Sequence, residues 1–227
     1  MGELIETWAN RADEEDSMTA DHAWIWREMI AAAVPDPAGL AGKRVLDVGC
    51  NQGGFLRMLH DTRPVAEAVG IDLAAQAVAL AEQRKGARPI TYRAAPRIAE
   101  AGSGFDIAFS HEVIYLIPDL EDHARQVASV LRPGATYYAV TGCHSDNPLW
   151  PVWLPRLREI SNLPVPDHSV GDIATAFRKA GFEVAASRFL ADKPVPLPGP
   201  SDYMPTDLDR IDVYARWKLM FCCTRPV

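Results

Sequence analysis

Short apolar runs alternate with amphipathic segments along most of this chain, and that alternation limits the folds open to it. The apolar runs, which are typical of buried strands, lie at residues 44–49, 68–72, 90–94, 105–110 and 136–142. The segments with a helical period lie at residues 55–61, 73–84 and 119–131. Alternating strands and helices indicate parallel strands joined by right-handed crossovers. We therefore predict an α/β fold with an open, doubly wound sheet.

The alternation breaks after Gly142 and later resumes. Residues 144–168 hold several prolines and are too long for a plain connection, so we interpret them as an insertion above the sheet. A helix, a strand, a proline-rich stretch and a last strand are predicted beyond it, at residues 170–181, 182–190, 194–205 and 215–224. The last two strands have no predicted helix between them, which favours antiparallel pairing.

Composition indicates a globular protein that does not bind nucleic acid. The 227 residues are 48% hydrophobic and 23% charged, enough to bury a sizeable core. A net charge of −7 opposes contact with phosphates. The chain has neither a secretory signal nor an apolar run long enough to cross a membrane, so we expect a cytoplasmic protein. The four cysteines include no CxxC pair, so no structural metal is expected.

The sharpest local signal is a strand that ends in a turn containing Gly49, Asn51 and Gly53 and then opens a helix. Such a turn directs backbone N–H groups and a helix N-terminus at an anionic or polar ligand. Asp72 ends the second strand, where a carboxylate can accept hydrogen bonds from both ribose hydroxyls of an adenosine. A nucleotide-like cofactor is therefore the expected ligand.

The turn resembles the first motif of the class I S-adenosylmethionine-dependent methyltransferases, which reads acid-x-Gly-x-Gly-x-Gly. Asp47, Gly49, Asn51 and Gly53 occupy this motif, and Cys50 lies within it. Asn51 replaces the middle glycine, but asparagine tolerates a left-handed backbone well. The resemblance implies S-adenosyl-L-methionine as the cofactor. It also implies a Rossmann-like, seven-stranded, mostly parallel sheet in the order 3-2-1-4-5-7-6, with the last strand antiparallel.

Two other functions are compatible with the same turn. A nicotinamide-binding Rossmann domain would use Gly49, Asn51 and Gly54, again without its central glycine. Asp47 favours the methyltransferase pattern, in which this acid positions the loop and the amino group of the methionine moiety. A non-catalytic domain that binds the cofactor is the second alternative.

A second part of the resemblance lies in residues 104–135. They contain, in the order common in these methyltransferases, a strand beginning Phe-Asp, a short apolar loop, a helix and Leu-Arg-Pro-Gly. By analogy, the backbone around Ser110 and His111 lines the methionine end of the cofactor. This analogy places His111, Glu112 and Tyr115 near the transferring methyl.

The residues after the third strand depart from the family pattern. The family carries an acid there that receives the adenine amino group, whereas this chain has Ala94, Ala95 and Pro96. We expect backbone groups and apolar contact with Leu73 to hold the adenine instead.

Candidate catalytic residues are His111, Glu112 and His144, all predicted at the carboxyl edge of the sheet. An imidazole titrates near neutral pH, so His111 is the predicted general base for an acceptor that carries a proton. The alternative for His111 is a hydrogen bond to backbone at the end of the strand.

Candidate substrate contacts are Tyr115, Trp150 and Trp153. The two tryptophans are three residues apart and would share one face of a helix, where they could cover an aromatic or cationic substrate. Packing of the insertion onto the sheet is the alternative. Arg11, in the acidic N-terminal segment, could meet the carboxylate of the cofactor.

We therefore predict a single domain over residues 1–227, with an N-terminal helical cap at 1–40 and a substrate-side insertion at 144–168. The expected reaction is methyl transfer to an N, O or C nucleophile of a small molecule. Neither the acceptor nor the oligomeric state follows from the sequence.

Overall fold

The computed structural model describes residues 12–161 and 164–227, with side chains from His22 onward. Its strands are β1 Arg44–Val48, β2 Glu67–Asp72, β3 Ile90–Ala94, β4 Phe105–His111, β5 Leu131–Thr141, β6 Glu183–Ser187 and β7 Leu219–Thr224. Its α-helices are α1 Ala12–Ala33, α2 Gly54–Thr62, α3 Ala75–Arg84, α4 Leu120–Val130, α5 Trp150–Ser161, α6 Val170–Lys179 and α7 Asp207–Asp212. Arg11 lies outside the described residues.

The strands form one sheet in the order β3-β2-β1-β4-β5-β7-β6. Strands β1 to β5 pair in parallel, and β7 pairs antiparallel with both β5 and β6. The predicted α/β class and strand order are confirmed. Because β1, β2 and β4 are parallel neighbours, the loops that follow them meet at one edge, where open α/β sheets bind their ligands.

Both faces of the sheet are covered, as the continuous apolar runs predict. Successive residues of β1 face opposite sides: Val45 packs in a cluster with Met29 of α1 and Leu56 of α2, whereas Leu46 packs in a cluster that contains Val127 of α4. All five of these apolar side chains are fully buried. Each Å² of apolar surface that is buried contributes about 25 cal/mol, so burial in these two layers is the main contribution to the stability of the fold. No helix in the described ranges combines the length and apolarity that a membrane span requires.

The C-terminal part corrects the prediction in two places. The run 215–224 was expected to be a strand throughout, but Val213–Trp217 forms a π-helical turn and β7 begins at Leu219. In addition, α7 separates β6 from β7, although the pairing is still antiparallel. The sequence carried a signal for α7, because Thr206 and Asp209 form a reciprocal capping box at its start.

The insertion at 144–168 contains α5 and is tied to the loops around it. His168 Nε2 lies 2.8 Å from the carbonyl oxygen of Ile117, after β4. Trp153 donates its Nε1–H to the carbonyl oxygen of Tyr203 at 2.6 Å. The insertion therefore packs against both the β4 loop and the proline-rich stretch, and these contacts fix it above the carboxyl edge.

Candidate functional site

The loop after β1 has the backbone shape that its sequence predicts. Gly49, Asn51 and Gly53 have φ values of 77°, 44° and 81°. Asn51 is thus left-handed where a glycine would be usual. The amides of Gly49 and Cys50 both donate to the carbonyl oxygen of Ile71, at 2.8 and 3.0 Å, so the loop is held against the end of β2.

Asp72 ties this loop to the following helix. Its carboxylate accepts the backbone N–H of Asn51 at 2.8 Å and that of Ala74 at 2.9 Å. Burial raises the pKa of Asp72, while the backbone hydrogen bonds oppose that rise. A carboxylate oxygen can accept more than one hydrogen bond, so these contacts leave acceptor capacity for ligand hydroxyls.

Asp47 is the most strongly perturbed acid of the loop. Asp47 is buried and only 3% exposed. Burial and the neighbouring Asp72 raise its pKa to about 8. No cationic side chain among the described residues forms an ion pair with either acid. An adjacent pair of acids suits a ligand that carries both an ammonium group and hydroxyls, as S-adenosylmethionine does.

The glycine at position 53 is required for a reason the sequence does not reveal. Gly53 occupies the motif that predicts cofactor binding, but it does not line the cavity described below. A Cβ at this position would lie 2.4 Å from Cζ of Tyr92. The hydroxyl of Tyr92 also donates to the carbonyl oxygen of Gly53 at 2.8 Å. The tyrosine of β3, rather than a ligand, therefore excludes a side chain there.

A cavity of about 1490 Å³ opens at the carboxyl edge of the sheet. One end is lined by Asp47, Gly49, Cys50, Asn51, Asp72 and Leu73. The other end is lined by Trp153 and Leu157 of α5, by residues 196–201 of the proline-rich stretch, and by Tyr203. Pockets for a single small ligand usually measure about 300 to 1,000 Å³. This cavity therefore has room for a cofactor and a second molecule.

The end of the cavity beside Leu73 contains polar groups that the sequence analysis missed. Ala95, Pro96 and Ile98 line it, together with Asp122 and Gln126 of α4. Gln126 accepts the backbone N–H of Ile98 at 2.9 Å and donates to Asp122 at 2.6 Å. Asp122 thus brings a carboxylate to the end of the cavity where the family's usual acid is absent.

His111 is held by a tryptophan of α1. Trp26 donates its Nε1–H to Nδ1 of His111 at 3.2 Å, so that nitrogen is unprotonated. Burial, with the charges of Lys218 and His22, lowers the pKa of His111 well below its usual value, against a smaller opposing effect of Glu112. These contacts occupy the Nδ1 lone pair and make the neutral imidazole a weak base, so they disfavour the general-base role predicted for His111 from the sequence.

Glu112 forms an ion pair with Lys218, a residue that the sequence analysis did not select. The Glu112 carboxylate also accepts the hydroxyl of Thr141 at 2.9 Å and the backbone N–H of Gly142 at 3.1 Å. Burial alone would raise the pKa of Glu112, but the Lys218 ammonium, the His111 ring and the hydrogen bonds from Lys218 and Thr141 lower it to about 2. Burial would lower the pKa of Lys218, but Glu112 raises it. Both groups are therefore charged at neutral pH.

Three further predicted site residues, besides Gly53, do not line the cavity. Ser110 Oγ lies 2.7 Å from the hydroxyl of Tyr137 within the core. His144 is 1% exposed, and its Nε2 lies 2.8 Å from the carbonyl oxygen of Trp217. Trp150 donates to Asp167 at 2.6 Å and packs edge-on against Tyr115. Of the predicted substrate contacts, Tyr115 and Trp153 line the cavity, whereas Trp150 supports them from behind.

Comparison with known proteins points to a single family. Residues 20–187 match a family model described as a methyltransferase domain. A ubiquinone biosynthesis O-methyltransferase of Rhizobium rhizogenes is 38% identical over 106 residues, which is 45% of this chain and 42% of the relative. A probable tocopherol O-methyltransferase of Oryza sativa subsp. japonica is 31% identical over 60% of this chain and 39% of its own length. The chain therefore aligns with less than half the length of these curated relatives.

Solved structures share the fold. A Haloferax volcanii chain solved in a complex with the Trm112 methyltransferase activator superposes with a TM-score of 0.81 and 23% identity, over 98% of this chain and 99% of that one. An S-adenosylmethionine-dependent methyltransferase from Mesorhizobium loti gives a TM-score of 0.62 and 21% identity, over 86% and 95% of the two chains. At these identities the similarity establishes the architecture alone.

Proposed function

This chain belongs to the methyltransferase domain family, and from that premise we propose that it transfers the methyl group of S-adenosylmethionine to an oxygen of a small, largely apolar molecule. One observation carries the proposal: a single cavity joins the Asp47–Asp72 loop to a wall of aromatic, aliphatic and proline side chains. The family assignment sets aside the nicotinamide alternative. A non-catalytic role stays open to the experiment below.

The loop residues supply the contacts that such a cofactor needs. Asp47 is placed to pair with the ammonium of the methionine moiety, and Asp72 to accept the ribose hydroxyls. The cofactor supplies an electrophilic methyl on a sulfonium, so the protein's tasks are alignment and exclusion of water. Alignment of this kind can contribute about 7 to 11 kcal/mol to lowering a barrier.

The far wall of the cavity indicates the chemical class of the acceptor. Trp153, Leu157 and Leu197 present apolar surface to the cavity, and Leu197 is 51% exposed. Burial of apolar ligand surface against such a wall is favourable. The two O-methyltransferase relatives are named for ubiquinone biosynthesis and tocopherol. We propose a ring hydroxyl with an apolar substituent as the acceptor.

The proposal can be tested with matched acceptors and by S-adenosylhomocysteine release. We expect 4-heptylcatechol to give a higher kcat/KM than catechol, and heptylamine to give no release above background. Equal rates for the two catechols would contradict the apolar acceptor site. Cofactor binding without release from any acceptor would instead support the non-catalytic alternative.

Trp153 should contribute to acceptor binding and not to cofactor binding. We expect Trp153→Leu to raise the KM for 4-heptylcatechol about tenfold, because the ring lines the acceptor end of the cavity. Affinity for S-adenosylhomocysteine should change by less than about threefold, which is under roughly 0.7 kcal/mol. Val152→Ala, at a half-exposed position on the same helix, is the matched control. Loss of cofactor affinity in a folded Trp153→Leu protein would move the acceptor site elsewhere.

A further inference from the structure

Lys218 is a buried cation in the wall of the cavity. The residue is 5% exposed and nevertheless lines the cavity. It lies one residue before β7, and its ion-pair partner Glu112 directly follows β4. An ammonium group placed there is costly to bury unless its charge and its N–H groups are used.

The protein itself pairs the charge of Lys218 and uses part of its hydrogen-bonding capacity. Lys218 donates to Oε1 of Glu112, and its ammonium lies 5.4 Å from the ring centre of Tyr214. An ammonium has three N–H donors, and among the described residues Glu112 is its hydrogen-bonding partner. Glu112 is itself held by Thr141 and Gly142, so the carboxylate is fixed and cannot follow a ligand. The remaining donors of Lys218 are available to a molecule in the cavity.

Three titratable groups beside Lys218 are poorly suited to act as a base at neutral pH. Glu112 is ionised with a pKa of about 2, and His111 is neutral with its Nδ1 occupied by Trp26. Burial raises the pKa of the Cys143 thiol well above its usual value, so the thiol stays protonated and cannot accept a proton. Tyr214 contributes its ring face. A hydroxyl brought here meets the positive charge of Lys218 beside three groups that do not readily take its proton at neutral pH.

We propose that Lys218 binds the acceptor's oxygen in its ionised form, so that the acceptor is an acidic hydroxyl such as a phenol. This inference rests on the proposed function and deepens it. When the O–H bond breaks, the proton goes to solvent and the electron pair stays on oxygen. Lys218 keeps its own proton throughout and stabilises the oxyanion by a charged hydrogen bond. An aliphatic alcohol would stay protonated, and an ammonium group would be repelled.

The inference can be tested with 4-nitrocatechol, whose ionisation changes its visible spectrum. With S-adenosylhomocysteine present, we expect the pKa of the bound probe to lie at least about one unit below that of the free probe. A charged hydrogen bond to the ionised oxygen is strong enough to lower the pKa of the hydroxyl by that amount. Because Lys218 variants with Glu112 intact would contain an unpaired charge, the test variant is the double substitution Glu112→Gln with Lys218→Met. In this protein the bound probe should ionise as it does in solution.

Turnover provides a second readout that a purely structural role would not change. In the double variant, kcat/KM for 4-nitrocatechol should fall more than tenfold at pH 6 and recover as the pH passes the pKa of the free probe. An unshifted spectrum in the wild-type protein, absence of probe binding, or an equal shift in both proteins would overturn the inference. A shifted spectrum without methyl transfer would leave the inference standing and count against the proposed function.

Discussion

Replacing Lys218 with methionine should destabilise the protein by about 3 to 5 kcal/mol at pH 7. The substitution leaves the carboxylate of Glu112 enclosed without a counter-charge, and breaking a buried pair from one side has a cost of this size. Both side chains are poorly accessible, at 6% and 19% exposure, so solvent does little to screen the loss. Urea unfolding gives the difference directly.

The matched control removes both charges. In the double variant Glu112→Gln with Lys218→Met no charge is left unpaired, so most of the lost stability should return.

The pH dependence of stability tests the same ion pair independently. In the wild-type protein the depressed pKa of Glu112 stabilises the fold above its ordinary pKa of 4.5, and this contribution is lost as the pH falls toward about 2. In Lys218→Met the carboxyl pKa rises, so stability should increase as the pH falls from neutral. A variant as stable as the wild type at pH 7 would show that the pair is not buried.

Replacing Asp47 with asparagine should stabilise the ligand-free protein at pH 8 and weaken cofactor binding. Burial and Asp72 raise the pKa of Asp47 from 3.8 to about 8. The folded protein therefore binds this proton more tightly than the unfolded chain, and stability falls as the pH rises from about 4 to about 8. Asparagine does not titrate, so the Asp47→Asn protein lacks this fall in stability with pH. Since each pKa unit corresponds to about 1.4 kcal/mol, the gain at pH 8 should be on the order of a few kcal/mol.

The cost should appear in affinity, because asparagine cannot pair with an ammonium. We expect binding of S-adenosylhomocysteine to weaken more than tenfold, as loss of a charged hydrogen bond contributes about 1.5 to 3 kcal/mol. Urea unfolding at pH 5 and pH 8 measures the first effect, and titration calorimetry the second. Asp192→Asn, at an exposed position, controls for the change of charge. If stability at pH 8 drops and affinity is retained, Asp47 is a structural acid that does not contact the cofactor.

Local sequence patterns predicted most of the fold for a physical reason. Strands buried on both faces need consecutive apolar residues, and residues 45–46 of β1 and residues 68–69 of β2 meet this need. The strand order followed from the resemblance, and the neighbours of β1 were confirmed. The C-terminal boundaries were less accurate, because residues 215–218 adjoin the apolar run of β7 in sequence but form part of a π-helical turn and its exit.

The candidate site could be predicted where it depends on adjacent strands. Asp47 and Asp72 lie on neighbouring strands, so their proximity follows from the topology. The contact between Trp26 and His111 joins residues 85 positions apart, and that between Lys218 and Glu112 joins residues 106 apart. Such pairs depend on how distant elements pack, which no local period encodes. The single-domain organisation and cytoplasmic location stay predictions.

The most direct measurement is a calorimetric titration of S-adenosylhomocysteine into the wild-type protein and into Asp72→Ala, with NAD⁺ as the comparison ligand. We expect one-site binding to the wild type, no heat with NAD⁺, and at least tenfold weaker binding to Asp72→Ala, because a charged hydrogen bond contributes about 1.5 to 3 kcal/mol. Since Asp72 also holds the amides of Asn51 and Ala74, circular dichroism must first show that the variant is folded. Binding of NAD⁺ in place of S-adenosylhomocysteine, or unchanged affinity in folded Asp72→Ala, would contradict the account.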